Sequence, residues 1–368
     1  CNLRCNYCLR NLEQEENCIS TEKLRDIGKF ITTYCDEYKI ANISVQAWGG
    51  EPLLEKNKII ALTKFITPQK TKVHYSIETN ATLLTNDVIE ELYKNHIGIG
   101  ISIDGDRKCH DLQRTFVSGK GSYDTVKKNL LQAQRYYKNK IGTITTITKQ
   151  TAVHIEKIIE HLVLDLHISN IKLNFVHAST YTYGQNQCLN TQEIADTELR
   201  ILYKIIELQE RGYDVMEHNI FIKLKNLLFR EYADICLSCG CCGGKKMIVF
   251  DMDGNIYPCE LTDDASFVIG SIYKKESLIE QIKMTIDKDK AFFKMKKAVE
   301  CEKCYWKFFC RGGCTVRALS EKRQMEVIDI DHIECAINQV LYPALMELVL
   351  RKPHIVNQML GEDLLVDE

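Results

Sequence analysis

The sequence predicts an α/β protein: a parallel sheet, open or closed into a barrel, followed by a cysteine-rich second region. Three observations carry this. Short β-rich apolar runs recur through the first half, separated by stretches of helical periodicity. Near residue 186 that pattern changes to a long helix and then to loop-rich sequence. The 17 cysteines are clustered, with three in residues 1–8, five in 236–259 and five in 301–335, and only Cys188 between 110 and 235.

The strands expected in order are ISVQAW (43–48), KVHYSI (72–77), IGIGISI (97–103), IGTITTI (141–147) and NIKLNFV (170–176). Helices are expected between them. Leu24, Ile27, Phe30 and Ile31 mark one over 21–36, and Ile59, Ile60, Leu62, Phe65 and Ile66 mark the next. Val126, Leu130 and Ala133 mark a third, and Ile155, Ile158, Ile159 and Leu162 a fourth. Strands alternating with helices imply crossover connections and a parallel sheet. Residues 191–211 read as one long helix through Ile194, Leu199, Leu202, Ile205 and Ile206. MIVF, DMDGN and IYPC then read as a hairpin with an Asp-Gly turn. DMDGN is not a calcium loop, because the sixth position needs glycine and holds Ile256. From about 336 the chain is expected to be helical, with a polar, acidic end.

The formal net charge of -2 gives no electrostatic case for nucleic acid. No apolar run approaches the ~18 residues of a membrane span. The start lacks the basic and apolar regions of a signal peptide. It also lacks an initiator Met, so a strand upstream of Cys1 is expected. A cytoplasmic setting is the default expectation, where disulfides rarely persist, and the clustering of the cysteines points to metal ligation.

In parallel α/β folds the chemistry sits at the carboxyl ends of the strands. Gly49-Gly50-Glu51-Pro52, Glu78-Thr79-Asn80 and Ser102 with Asp104-Gly105 occupy such ends. The opening Cys1-x3-Cys5-x2-Cys8 supplies three thiolates, enough for three corners of a [4Fe–4S] cubane with one iron left open. Zinc with a fourth ligand from elsewhere is the alternative. Leu3 and Tyr7, interleaved with the thiolates, would shield such a cluster.

The opening cysteine motif, GGEP (49–52), ETN (78–80) and SIDG (102–105), in that order over roughly residues 1–180, resembles the radical S-adenosylmethionine (SAM) superfamily. The resemblance implies a partial (β/α)6 barrel. It implies a catalytic cluster on Cys1, Cys5 and Cys8, whose open iron is chelated by S-adenosylmethionine. Reductive cleavage of that cofactor gives a 5′-deoxyadenosyl radical that abstracts a substrate hydrogen. By position, Gly49, Gly50, Glu51 and Pro52 would meet the cofactor's amine. Glu78, Thr79 and Asn80 would meet ribose or methionyl groups, with Ser102 and Asp104 at the next strand end. Arg114 is the expected partner of the cofactor carboxylate, since a guanidinium binds carboxylates bidentately.

Cys301-x2-Cys304-x5-Cys310-x3-Cys314, with Cys335 further on, resembles the SPASM extension of that superfamily. So does Gly254-x4-Cys259 upstream. The resemblance implies two auxiliary [4Fe–4S] clusters. One would use Cys236, Cys242, Cys259 and Cys314, the other Cys301, Cys304, Cys310 and Cys335. CLSCGCC also offers Cys239 and Cys241, so its two ligands stay open, and zinc is the alternative for 301–314. The expected organisation is a radical SAM core at 1–185, a helical bridge at 186–234, the SPASM region at 235–345 and a C-terminal helix and tail at 346–368.

Enzymes combining these parts mostly modify peptides or proteins. A peptide maturase forming thioethers is expected first and an anaerobic sulfatase-maturating enzyme second. Either takes a peptide or protein substrate and a reductant such as flavodoxin or ferredoxin. Glu260 comes directly after Cys259, where the sulfatase-maturating enzymes carry an Asp base, so it is the expected general base. An iron–sulfur electron carrier or zinc-stapled binding module is the reading from another class. Of the remaining thiols, Cys35 is expected to be a buried small hydrophobe, Cys109 could face the cavity, and His110 is read as a loop residue.

Overall fold

The computed structural model describes residues 1–8, 18–176, 185–230, 241–262, 265–287, 299–320 and 330–361. Cys236 and Cys239 lie outside these. Each of the five apolar runs forms a strand. In chain order the strands are β1 (Leu3–Cys5), β2 (Asn42–Ala47), β3 (Lys72–Thr79), β4 (Ile97–Ser102), β5 (Arg114–Phe116), β6 (Gly142–Ile147), β7 (Asn170–Phe175) and β8 (Met216–Glu217). Six of them build one sheet in the order β2-β3-β4-β6-β7-β8, with every neighbour parallel. Its ends, β2 and β8, do not pair with each other, so the (β/α) arrangement stays open. The five strands expected from the apolar runs are therefore present, and β8, two residues long, is a sixth in the same sheet.

The alternation along these strands decides where chemistry can happen. Successive side chains point to opposite faces of a sheet. Ile77, Ile99, Ile101, Ile147, Ile171, Leu173 and Phe175 share a core with Ile89, Leu92, Val126, Leu130, Ile155 and Ile158 of the covering helices. The residues of opposite parity are polar or small apart from Ile144: Gln46, Ser76, Glu78, Gly100, Ser102, Thr146, Lys172 and Asn174, all exposed or half-buried. Parallel sheets covered on both faces read as continuous apolar runs. Here the alternation leaves one face uncovered by helices. Across it the register aligns Glu78, Gly100, Gly142 and Asn170 in one row. Two glycines stand in the middle of that row, and a Cβ on Gly100 would lie 3.4 Å from Ile144 Cδ1 and 3.5 Å from Glu78 Cγ.

β1 does not join the main sheet. It pairs antiparallel with β5, bringing Cys5 opposite Arg114. The expected hairpin forms as β9 (Val249–Phe250) and β10 (Asn255–Tyr257), with β11 (Gly270–Ser271) as a third strand. Gly254, at φ +81, makes its turn. This small sheet rests on the helix Thr21–Glu37 through Phe250 against Phe30, at 5.8 Å between ring centroids, and through Asp253, which pairs with Lys23.

The helix His332–Arg351 packs into the main core through Leu341, Leu345 and Leu348. The boundary expected at 345/346 therefore falls inside one continuous helix. Its length and mean hydropathy of 1.3 would also suit a membrane span, contrary to the expectation that no segment is long and apolar enough. Glu334 and Asn338 on it are nonetheless buried against protein.

The helices Thr21–Glu37 and Lys56–Phe65 touch at Gly28, where a Cβ would stand 2.6 Å from Phe65 Cβ and 2.9 Å from its carbonyl oxygen. Gly28→Val should force them apart and destabilise the protein by ~1–3 kcal/mol, read as a lower denaturant midpoint.

Candidate active site

The strand ends converge as expected, and the structure shows what holds them. Glu51 ties two loops together. Its Oε1 accepts from Leu53 N at 3.0 Å and Thr79 Oγ1 at 2.7 Å, and its Oε2 accepts from Asn80 N at 2.8 Å. Burial pushes the Glu51 carboxyl upward and these bonds pull against it. Asn80 donates from Nδ2 to Asn2 Oδ1 at 3.0 Å and lies 3.8 Å from Cys1 Sγ. Gly50 permits the approach of the first residue: a Cβ there would meet Cys1 Cβ at 2.9 Å and Cys1 N at 3.0 Å. Gly49, Gly50, Glu51, Thr79, Asn80 and Cys1 therefore form one cluster, with Pro52 opening the turn behind it.

A second cluster fixes the rest of the opening loop. Asp104, with no exposed surface, accepts on Oδ2 from Tyr7 Oη at 2.7 Å, Arg114 Nε at 2.8 Å and Gln113 Nε2 at 3.1 Å. Its Oδ1 accepts from Thr146 N at 2.9 Å. Arg114 also lies over the Tyr7 ring at 5.4 Å. The strand-end carboxylate thus joins the thiolate loop, β5 and β6.

Three of the expected site residues have partners within the protein. Arg114 is buried and pairs with Asp104. Asp104 takes four donors. Thr79, 1% exposed, gives its hydroxyl to Glu51 and accepts from Ala81 N. Glu78 and Ser102 do face the polar side of the sheet, in adjacent rows. Cys109 does not face the cavity: it packs in the main core, and Cys35 is buried as expected.

His110 is not a loop residue either. It is fully buried on the helix Arg107–Gln113, its Nδ1 accepting from Asp104 N at 3.2 Å and its Nε2 facing Ser122 Oγ at 2.9 Å. Ser122 donates onward to Arg114 O at 2.8 Å, which assigns the ring proton to Nε2.

The cysteine-rich region forms a second centre. Cys301, Cys304, Cys310 and Cys335 line one cavity, with Trp306 and Asn338. Cys259, Cys241 and Cys314 lie close enough for charge on one to raise a neighbour's thiol. Cys242 is buried beside them in sequence. Cys314 N donates to Asp331 Oδ2 at 2.7 Å, and Asp331 also pairs with half-buried Arg317. Glu260 Oε2 sits 3.4 Å from Cys259 Sγ.

Among the described residues no three His, Cys, Asp or Glu side chains converge on a point suited to a single metal ion. Thiols spaced around a cavity suit a cluster of several irons, each iron taking one thiolate. Burial pushes Cys5 up to about 11, with Arg114 beside it pulling down, and pushes Cys310 up to about 11. Metal must therefore displace protons from these thiols on binding.

Four residues at these centres carry no motif signal: Gln113, Asn338, Gln339 and Lys223. Lys223 is buried, pairs with Glu334 and donates to Asn338 Oδ1 at 2.6 Å behind Cys310. The one sequence signal among them is the spacing of Gln339, four residues after Cys335 on a helix.

Comparison with known proteins agrees with this geometry. Residues 1–162 match the family described as the radical SAM superfamily. The chain is 26% identical over 322 residues, 85% of its length and 84% of the relative's, to the cysteine-type anaerobic sulfatase-maturating enzyme of Clostridium novyi (strain NT). It is 25% identical over 340 residues, 85% of its length and 80% of the relative's, to the serine-type enzyme of Bacteroides thetaiotaomicron. The fold matches native anSMEcpe with bound AdoMet and Cp18Cys peptide at a TM-score of 0.79, with 21% identity and 95% of each chain covered.

Asp104→Asn should destabilise the protein by ~3–5 kcal/mol, because it leaves the Arg114 charge buried without its partner. Chemical unfolding of the metal-free chain reads this. Burial, the largest influence, pushes His110 down to about 4. An unfolded histidine titrates near ~6.5, so between those values the unfolded chain holds the extra proton. Stability should fall as pH drops from about 6.5 to 4, by up to ~1.4 kcal/mol per pH unit. His110→Asn should flatten that dependence.

Proposed function

We propose that this chain, a radical SAM superfamily enzyme by virtue of residues 1–162, is a maturase that oxidises a cysteine or serine side chain in a peptide or protein. The observation that carries this reading is the chain-length similarity to sulfatase-maturating enzymes of both cysteine and serine types. That similarity puts formylglycine formation ahead of the thioether crosslink expected from the sequence.

Each group of residues supports a part of this chemistry. Cys1, Cys5 and Cys8 would hold the catalytic [4Fe–4S] cluster. Gly50 gives Cys1 its seat, and Asp104 fixes Tyr7 between the other two thiols. Gly49, Glu51, Pro52, Asn80, Glu78 and Ser102 border the space where S-adenosylmethionine would lie. Cys301, Cys304, Cys310 and Cys335 would hold one auxiliary cluster. Cys259 and Cys314, with two of Cys236, Cys239, Cys241 and Cys242, would hold another. When bound, the catalytic cluster and S-adenosylmethionine supply a radical that takes a hydrogen atom from the substrate's β-carbon, and the auxiliary clusters supply an acceptor for the electron left behind.

Glu260 would complete the oxidation by taking the proton of the substrate's thiol or hydroxyl, next to Cys259. The hydrogen atom, the proton and one electron then account for the two-electron change that makes a carbon–heteroatom double bond. Water converts a thioaldehyde to the aldehyde with loss of hydrogen sulfide. The electron originally needed to start turnover comes from an external reductant of the flavodoxin or ferredoxin kind.

The test uses anaerobically reconstituted protein, reductant, S-adenosylmethionine and a cysteine-containing peptide carrying a sulfatase motif. About twelve irons per chain are expected for three cubanes. The peptide should lose its sulfur and gain an aldehyde that reacts with hydrazide. A product that keeps its sulfur and lacks the thiol would make the thioether reading correct. Zinc in place of iron, with no 5′-deoxyadenosine, would refute both. Glu260→Gln should lower peptide oxidation by ~10²–10⁴-fold while 5′-deoxyadenosine continues to form.

A further inference from the structure

The cavity lined by Cys301, Cys304, Cys310 and Cys335 has polar neighbours besides its thiols. Gln339 stands four residues after Cys335 on the helix His332–Arg351, so both lie on one helix face. Its Nε2 donates to Cys304 Sγ at 3.5 Å. One exposed side chain on the helix that carries Cys335 therefore reaches a thiol of the 301–310 loop.

Asn338, its neighbour, plays a different part. It is buried, accepts from Lys223 at 2.6 Å and donates to Glu334 Oε1 at 3.1 Å. Those bonds keep it oriented within the packed interior. Gln339 is held by no such network. Among the described residues its side chain bonds to sulfur and to no oxygen.

An N–H donated to a cluster sulfur stabilises the reduced, more negative state and raises its potential. We propose that Gln339 is a positioning residue that sets the reduction potential of the auxiliary cluster held by Cys301, Cys304, Cys310 and Cys335. This rests on the cluster assignment proposed above. Its consequence is functional: a cluster that must accept an electron from a substrate works better with a raised potential. Gln339 supplies that without burying a charge.

The test is an anaerobic redox titration of reconstituted full chain followed by electron paramagnetic resonance, with iron counted in each sample. The signal that Cys310→Ala abolishes identifies the cluster. Gln339→Leu and Gln339→Glu should keep their iron and move that midpoint to more negative potential. About a tenfold smaller reduced fraction at fixed potential is expected, which is ~59 mV for one electron. Gln339→Lys keeps an N–H donor and should stay at or above the wild-type midpoint. If Gln339→Leu fails to hold the cluster, Gln339→Glu, which has the shape of the native side chain, gives the same reading. An unchanged midpoint in both, or a Gln339→Lys midpoint as low as that of Gln339→Leu, would overturn the inference. Wild-type protein with no signal lost in Cys310→Ala would overturn the cluster assignment instead.

Discussion

A carboxylate with no exposed surface has to find its hydrogen bonds inside the protein, and Asp104 finds four. Each donor comes from a different part of the site: Tyr7 from the thiolate loop, Gln113 from the end of a helix, Arg114 from β5 and Thr146 from β6. None of these can move without leaving a buried charge or a buried donor unsatisfied, at a cost of several kcal/mol. The opening loop is short and has no core of its own. Its position is borrowed from this carboxylate, from the β1–β5 pairing and from the close seat of Cys1 on Gly50.

The second centre repeats the same logic with other residues. Lys223 pairs with Glu334, and Arg317 pairs with Asp331 and Glu334, all within protein. Asp331 also accepts the amide of Cys314, and Glu334 adjoins Cys335. Buried ion pairs of this kind add little net stability compared with apolar replacements, but they specify one arrangement. Loops that must hold thiols around a cavity have few apolar contacts to specify them, so charge pairing takes over that task. Trp306 stacked on Tyr342 at 5.2 Å supplies the apolar part.

The strands are legible in the sequence because their alternation is strict, and the clustered cysteines announce metal chemistry by spacing alone. β8 is not legible, because two residues carry no period. The motif residues are located well by sequence and their duties less so. Asp104, Thr79 and Arg114 look from sequence like groups offered to a ligand, because a strand end is where ligands bind. Whether a polar side chain faces outward or is consumed by its neighbours depends on partners distant in sequence, such as Tyr7 and Asp104, 97 residues apart. Such pairs leave no local pattern. Gln339 carries only its spacing from Cys335 in the sequence, because its partner, Cys304, lies 35 residues away.

The polar face of the sheet bears on which product such a site can make. Gly100 and Gly142 lie between Glu78 and Asn170 in one row, and Lys172 and Asn174 stand further along β7 on the same side. In the proposed reaction the hydrogen atom, the proton and the electron would be taken by groups of the protein and its clusters, whichever side chain is oxidised. The products differ in which bonds change: an oxidised serine is already the aldehyde, an oxidised cysteine is a thioaldehyde that water hydrolyses with loss of hydrogen sulfide, and a thioether needs the thiol of one residue to bond the carbon of another from which the hydrogen atom was taken. In the proposed maturase, product identity would therefore follow from whether a second residue of the peptide is held beside the thiol. A site that holds a single residue and admits water leads to formylglycine. One that also holds a second side chain against it leads to a crosslink.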